Sequence, residues 1–272
     1  RALNYLFLVR AFGKIPLKLS YTTEDEDVAI PQATVEETYT QIIKDLTEAA
    51  AALPEDYAGD IAATKGRATK YAALGLLAKA YLYQATLTKD YSKAAATAAQ
   101  VIASNKFQLV TDFRSIWQTE NTAESIFELQ FDSQTTNPLA LVSNDNASML
   151  FYVNPGLDSA LFEAQDKRLA ASLIKGSRER TYMGKFPNYN PPTQNIPLLR
   201  LAEIYLIHAE AEAQTSQSIS DASFNSFKAV NSRAGLATPK SDFNSLKTYI
   251  KGIQEEKERE LLFEGETWFD YC

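Results

Sequence analysis

A single histidine, His208, and a single cysteine, Cys272, are all the imidazole and thiol that 272 residues hold. A zinc-type site needs several nitrogen or sulfur ligands converging on one point, so none can be assembled around His208. Ser–His–Asp and Cys–His catalysis would both depend on that one ring. Its place between Tyr205 and Glu212 in a helical pattern reads as a structural histidine. Carboxylates are the remaining route to catalysis, because glycoside hydrolysis needs only two acids about 5 to 10 Å apart. Glu203, Glu210, Glu258, Glu260, Glu264, Glu266 and Asp270 could supply them. Their spacing against basic residues, as in Arg200–Glu203 and Glu255–Arg259, matches i,i+3 and i,i+4 helix pairs, which assigns them to surface or inter-helix ion pairs. No catalytic residue, metal or cofactor is expected.

Binding chemistry is better supplied. The chain carries 14 Tyr, 14 Phe and 2 Trp, and flat rings with polar edges suit the apolar faces of sugars. Most of these aromatics, Tyr71, Tyr81 and Tyr205 among them, fall on helical stripes and belong to the core. Phe151, Tyr152, Tyr182, Phe186 and Tyr189 do not. They alternate with Asn144, Asp145, Asn154, Asn188 and Asn190, which places stacking surfaces beside the amide and carboxylate partners that a hydroxyl-rich ligand requires. The candidate ligand residues are Tyr189, Tyr152, Tyr182, Asn188 and Asn144. Tyr189 leads because the proline-rich run 186–195 restricts its own backbone, leaving little entropy to lose on binding.

These residues must be held by a scaffold, and the scaffold reads as mostly α with little β. Tyr71, Leu74, Gly75, Ala78, Tyr81, Leu82 and Ala85 mark one face of a helix over 67–87; the small Gly75 and Ala78 would let a neighbouring helix approach closely. Thr34-Val-Glu-Glu37 is a capping-box pattern that starts a helix with Val35, Tyr39, Ile42, Ile43, Leu46 and Leu53 buried, and Pro54 stops it. Ala78-Lys-Ala-Tyr81-Leu82-x-x-Ala85 repeats as Ala202-Glu-Ile-Tyr205-Leu206-x-x-Ala209. Each copy precedes a second helix, at Asp90–Ser104 and Ser220–Ser232, as in tetratricopeptide-like pairs. Further helices are expected at 35–53 and 243–264. Between the copies, Glu124–Phe131 reads as a short strand, Asp132–Asn154 as loop, Gly156–Gln165 as a helix, and 186–195 as irregular. The expected organisation is one domain over 1–272: a helical repeat scaffold of 1–110 and 197–272, with a loop-rich ligand-binding region over 111–196.

A net charge of −7 without a Lys/Arg stripe excludes a nucleic-acid partner. The acidic run Glu24–Asp27 is most simply a solvated loop. One cysteine rules out an intramolecular disulfide. The most apolar stretch, Leu3–Phe12, is interrupted by Asn4 and Arg10 and is too short to span a bilayer. It also lacks a signal-peptide layout, so any targeting segment is expected upstream of Arg1.

The order of several pieces carries a family resemblance. Leu198–Gln214, Asn231-Ser-Arg-Ala-Gly235, Glu258-Arg-Glu-Leu-Leu-Phe-Glu-Gly265 and Trp268-Phe269-Asp270 follow one another at the C-terminal end. Arg1–Val9, Phe12-Gly13 with Pro16-Leu17, Val35–Leu53, Gly66–Tyr83, Asp90–Leu109 and Glu124–Phe131 precede them. Together they resemble the SusD/RagB family, surface lipoproteins that capture nutrients, mostly glycans, beside an outer-membrane transporter. Region 132–181 is outside the match, and family members are usually longer before the first helix and between the halves. The resemblance implies that Trp117 packs a short helix and that Trp268 is buried. It also implies a non-enzymatic, cell-surface glycan- or nutrient-binding protein that delivers its ligand to a TonB-dependent, SusC-like outer-membrane transporter and is lipid-anchored through an upstream Cys. The residues alone would also fit a helical scaffold that binds a peptide or protein in its concave face and, more distantly, a carboxylate-dependent hydrolase.

Overall fold

A computed structural model describes residues 1–21, 29–146, 148–176 and 180–271, with Ser159 described by its backbone. The acidic run Glu24–Asp27 lies outside the described residues. Helix α1 (Ala2–Phe12) leads through a two-residue pairing of β1 (Ile15–Pro16) with β2 (Gln32–Ala33) into α2 (Val35–Ala52), α3 (Ile61–Gly66), α4 (Lys70–Thr88) and α5 (Ser92–Ala103). The middle of the chain holds α6 (Ser115–Gln118), β3 (Ser125–Leu129), α7 (Pro138–Val142), α8 (Leu157–Leu161), α9 (Leu169–Ser172), β4 (Leu173–Lys175), β5 (Thr181–Met183) and β6 (Ile196–Arg200). Helices α10 (Leu201–Ser216), α11 (Asp221–Arg233), α12 (Leu246–Leu261) and α13 (Thr267–Tyr271) complete it.

The helices pack in series, α1 on α2, α2 on α4, α4 on α5, α5 on α10, and α10 on both α11 and α12. The two sequence repeats, α4–α5 and α10–α11, therefore stack on each other through α5 and α10, the tetratricopeptide-like arrangement that their matching Ala and Tyr positions imply. Small residues make this contact possible. Ala78, Ala80, Ala85, Ala94, Ala98, Ala202, Ala209 and Ala211 are all fully buried, so helix axes approach closely without cavities. A Cβ on Gly75 would lie 2.4 Å from Leu199 Cδ2 and 3.2 Å from Ile204 Cδ1. The neighbour that needs this glycine is thus the junction of β6 and α10. The capping box is present: Glu37 N–H donates to Thr34 Oγ1 at 3.1 Å, and Thr34 N–H to Glu37 Oε2 at 2.8 Å.

Three expectations change. The helix expected from Leu198 begins at Leu201, because Ile196–Arg200 pairs antiparallel with β3, Ser125 opposite Arg200 and Leu129 opposite Ile196. An unbroken apolar run does not announce whether it is strand or helix; Pro197, which restricts the residue before it, favours the extended form. In the expected loop 132–154, α7 forms because Asn137 Oδ1 accepts the Leu139 N–H at 2.9 Å with Pro138 at the first helical position. The helix expected over 156–165 shrinks to α8, and a short hairpin, β4–β5, pairs Ile174 with Tyr182.

The C-terminal helix is clamped by buried charge. Arg10 binds Glu266 at 2.7 Å, Lys79 binds Glu203 at 2.6 Å and Glu266 at 3.1 Å, and Lys257 binds Glu210 at 2.7 Å and Asp270 at 3.6 Å. The Arg10 guanidinium also lies 4.2 Å from the centre of the Phe269 ring. With Phe269 and Asp270 turned inward on a five-residue helix, their neighbour Trp268 faces out, 72% exposed. The burial expected for Trp268 is therefore not found, whereas Trp117 is buried on α6.

Candidate functional site

The run 186–195 is pinned at both ends. Phe186 is buried with its ring tilted onto Trp117, centroids 6.2 Å apart. Asn144 is also buried, and its Nδ2 donates to the carbonyls of Ala140 at 2.7 Å and Phe186 at 2.6 Å. The Asn144 amide expected to meet a sugar thus holds the loop from beneath, and Phe186 packs in the core. At the far end, Asn137 N–H donates to the Pro192 carbonyl at 2.7 Å and its Nδ2 to the Gln194 carbonyl at 2.8 Å. Asn195 Nδ2 donates to Glu128 Oε2 at 3.0 Å and Gln130 Oε1 at 2.9 Å. Between the anchors, Asn188, Tyr189 and Asn190 are exposed. With Pro187, Pro191 and Thr193 they line an open depression of about 470 Å³.

The other two tyrosines sit on the neighbouring hairpin. An antiparallel bridge joins Val153 to Thr181, so Tyr152 and Tyr182 fall on the same side of it, one residue before and one after. Tyr152 is exposed and Tyr182 half-buried. Burial raises the Tyr182 phenol above its ordinary value, and the charge of Asp145 and the proximity of Tyr189 raise it further. Tyr182 and Asp145 therefore adjoin, with Tyr189 close enough for its charge to act on the phenol. Gly176 makes room for the pair, since a Cβ there would lie 2.8 Å from Tyr182 Cε1 and 3.0 Å from Asp145 Oδ2. The structure thus brings Tyr182 and Tyr189 together with Tyr152 across the bridge, and Asn188 flanks Tyr189. Asn154 is exposed beside that bridge.

Beneath this surface lies a second buried charge network, which the sequence pattern mis-assigned. Arg200 pairs with Glu124 at 2.8 Å, Glu260 at 2.5 Å and Glu264 at 2.8 Å rather than with Glu203. Arg259 pairs with Glu256, and Glu255 with Lys251. Arg168 holds Asp166 at 2.7 Å, Glu256 at 2.9 Å and Glu260 at 3.0 Å, and Arg233 closes the network on Glu124 and Glu260. Burial alone would raise Glu260, but Arg233, Arg200 and Arg168 outweigh it and hold the carboxyl well below its ordinary range. Lys185, at the foot of the Tyr189 loop, donates to Glu260 O at 2.8 Å and Glu264 Oε1 at 2.6 Å, with its Nζ over the rings of Phe113 and Trp117. Burial pushes this lysine down to about 8, against the pull of Glu264. Spacing could not reveal the pairing of Arg168 with Glu256 and Glu260, of Lys185 with Glu264 or of Glu124 with Arg200, because those partners are 60 or more positions apart.

These carboxylates face cations inside the protein, the opposite of an acid pair flanking a cleft. His208 lies between helices, its Nδ1 2.8 Å from Ser226 Oγ, and burial lowers its pKa. Among the described residues no group of three or more His, Cys, Asp or Glu side chains could hold a metal ion, and no helix is long and apolar enough to cross a membrane.

Helix pairs stacked in series, carrying a pinned and tyrosine-rich loop region, define a helical-repeat binding scaffold. The sequence model of the SusD family matches residues 83–272, and a second SusD-like model, described as starch-binding and associating with the outer membrane, matches residues 1–82. The chain belongs to the SusD family. It is 24% identical to a SusD-like protein of Bacteroides ovatus over 99% of its own length and 56% of that protein's. A SusD superfamily protein of Parabacteroides distasonis superposes with a TM-score of 0.85 at 25% identity, covering 99% of this chain and 65% of that one. Surface glycan-binding protein A of Bacteroides uniformis superposes with a TM-score of 0.81 at 25% identity, covering 100% of this chain and 64% of that one. The chain thus spans a little over half to about two thirds of the length of these relatives.

Proposed function

We propose that this protein binds glycans without cleaving them and hands them to a TonB-dependent, SusC-like outer-membrane transporter. In this reading 1–272 is one SusD-like domain. Region 111–196 binds the ligand, while 1–110 and 197–272 form the scaffold. The protein sits at the cell surface, lipid-anchored through a Cys upstream of Arg1. Family membership and the likeness to a surface glycan-binding protein support the ligand class. The observation that carries the site is the exposure of Tyr189 on a loop tied down at both ends, beside Tyr182 and Tyr152. A ring presented by a fixed backbone loses little entropy when a sugar stacks on it, and Asn188 and Asp145 supply partners for hydroxyls. The inward-facing carboxylates support binding without hydrolysis.

The test is a glycan-array screen followed by titration calorimetry. Covering one ring face contributes roughly 1–2 kcal/mol at about 25 cal/mol per Å², so Tyr189→Ala should weaken binding about ten-fold with an unchanged melting temperature. Unchanged affinity in both Tyr189→Ala and Tyr152→Ala would place the site elsewhere. Steady release of products from oligosaccharides would refute the non-enzymatic reading.

A further inference from the structure

We propose that this surface selects acidic glycans, with the Arg180 guanidinium binding the carboxylate of a uronic acid unit. The inference rests on the glycan-binding reading above and adds the ligand's chemical class. Arg180 is exposed, and its guanidinium carbon lies 5.3 Å from the centre of the Tyr152 ring. Among the described residues it meets this ring, and Gly176 N–H donates to the Arg180 carbonyl at 2.8 Å. Among the described residues no carboxylate lies within ion-pair distance of it. Many arginines of this protein are neutralised inside the fold, Arg168, Arg200 and Arg233 among them. Arg180 instead offers its charge at the surface where the tyrosines gather.

The placement suits a substituted sugar. The Gly176–Arg180 bond extends the β4–β5 ladder by one residue. Residues 180 and 182 are therefore neighbours on one face of the strand, about 6.6 Å apart at about 3.3 Å per residue. That is about the length of one monosaccharide unit, so a pyranose stacked at Tyr182 and Tyr189 can direct an acidic substituent toward Arg180. The Tyr152 ring lies within cation–π distance of the guanidinium. A planar fork of N–H donors matches a planar carboxylate through two parallel charge-assisted bonds.

Calorimetric titration with tetragalacturonate and with uncharged maltotetraose tests this on the whole chain. The expected result is tighter binding of tetragalacturonate, weakened by added salt. Arg180→Gln should lower its affinity about ten-fold and leave maltotetraose unchanged. Melting curves of the variants establish that they fold, and Arg180→Lys, which keeps the charge and loses the fork, should recover only part of the affinity. Maltotetraose binding as tightly as tetragalacturonate, or Arg180→Gln leaving the preference intact, overturns the acidic specificity and leaves glycan binding standing. Binding of neither sugar, together with a blank glycan array, overturns both.

Discussion

Replacing Glu203 with glutamine should stabilise the protein at pH 8 and change it little at pH 5. In the clamp around the C-terminal helix, three cations, Arg10, Lys79 and Lys257, face four carboxylates, Glu203, Glu210, Glu266 and Asp270. One negative charge is in excess, and it is buried. Burial, reinforced by Glu266 and opposed by Lys79, pushes Glu203 from its ordinary 4.5 up to about 7. Glu266 moves the other way, to about 2: burial would raise it, but Lys79 and Arg10 prevail. A carboxyl with a raised folded pKa keeps its proton when the unfolded chain has already lost it, so its contribution to stability falls as pH rises from 4.5 through about 7. At 1.36 kcal/mol per pH unit the displacement corresponds to roughly 3 kcal/mol, of which roughly 2–3 is lost between pH 5 and pH 8. Glutamine keeps a carbonyl oxygen for Lys79 and cannot ionise, so the variant escapes that loss. Chemical denaturation of both proteins in steps from pH 5 to pH 8 should show the curves diverging toward pH 8. Their melting temperatures there should separate by about 5–10 °C, at roughly 2–4 °C per kcal/mol. Parallel curves would mean that Glu203 carries no proton in the folded protein, and a less stable variant at pH 8 would mean that the Lys79 pair outweighs the excess charge.

Gly75→Leu should cost roughly 1–3 kcal/mol by overpacking against Leu199 and Ile204, read as a lower denaturation midpoint with an unchanged slope. Asn144→Ala should cost roughly 1–3 kcal/mol by orphaning the buried Phe186 and Ala140 carbonyls, and should also weaken glycan binding by loosening the loop that carries Tyr189. Lys185→Met should abolish a pH-dependent gain. The folded lysine titrates near 8 and the unfolded one near 10.5, so the unfolded chain binds more protons between those values and wild-type stability rises there; the difference between the two denaturation curves isolates the effect.

What could be read ahead of the structure divides along the range of the forces involved. Helices α2, α4, α5, α10, α11 and α12 are legible because a helix writes its own pattern: the Thr34–Glu37 box, the stripe from Tyr71 to Ala85 and the repeated Ala-x-x-Tyr-Leu are each contained within a single helix. Even Gly75 was correctly read as a point of close approach, while the identity of its neighbour, Leu199 on a strand, was not. Ion pairs failed for the same reason in reverse. Arg200–Glu203 has the correct helical spacing, yet Arg200 precedes the helix as the last residue of β6 and points into a cluster drawn from Glu124, Glu260 and Glu264. Spacing rules describe exposed helix faces and carry no information about charges that three distant segments bury together.

The site shows the same division and explains a functional property. Tyr189 could be picked out because prolines and asparagines announce an irregular, exposed segment, but composition cannot tell an amide that meets a ligand from one that braces the loop. Asn144 and Asn188 are chemically identical, yet Asn144 is buried and braces the Phe186 carbonyl while Asn188 is exposed beside Tyr189. The bracing has a wider consequence. Lys185, one residue before the buried Phe186, is bound to Glu260 and Glu264 from the C-terminal segment, and the opposite end of the loop is held by Asn137 and Asn195. Both ends of the seven-residue loop 187–193, the proposed ligand loop, are thus fixed to different parts of the scaffold, so its tyrosine is held by the fold before any sugar arrives. A loop tied in this way should bind with a small entropy penalty and show the same Tyr189 environment with and without ligand. Tyrosine fluorescence quenching or ring resonances that shift only on direct contact would agree, whereas ordering of the whole 187–193 backbone on binding, seen as new amide protection against hydrogen exchange, would show that the anchors do not preorganise the site.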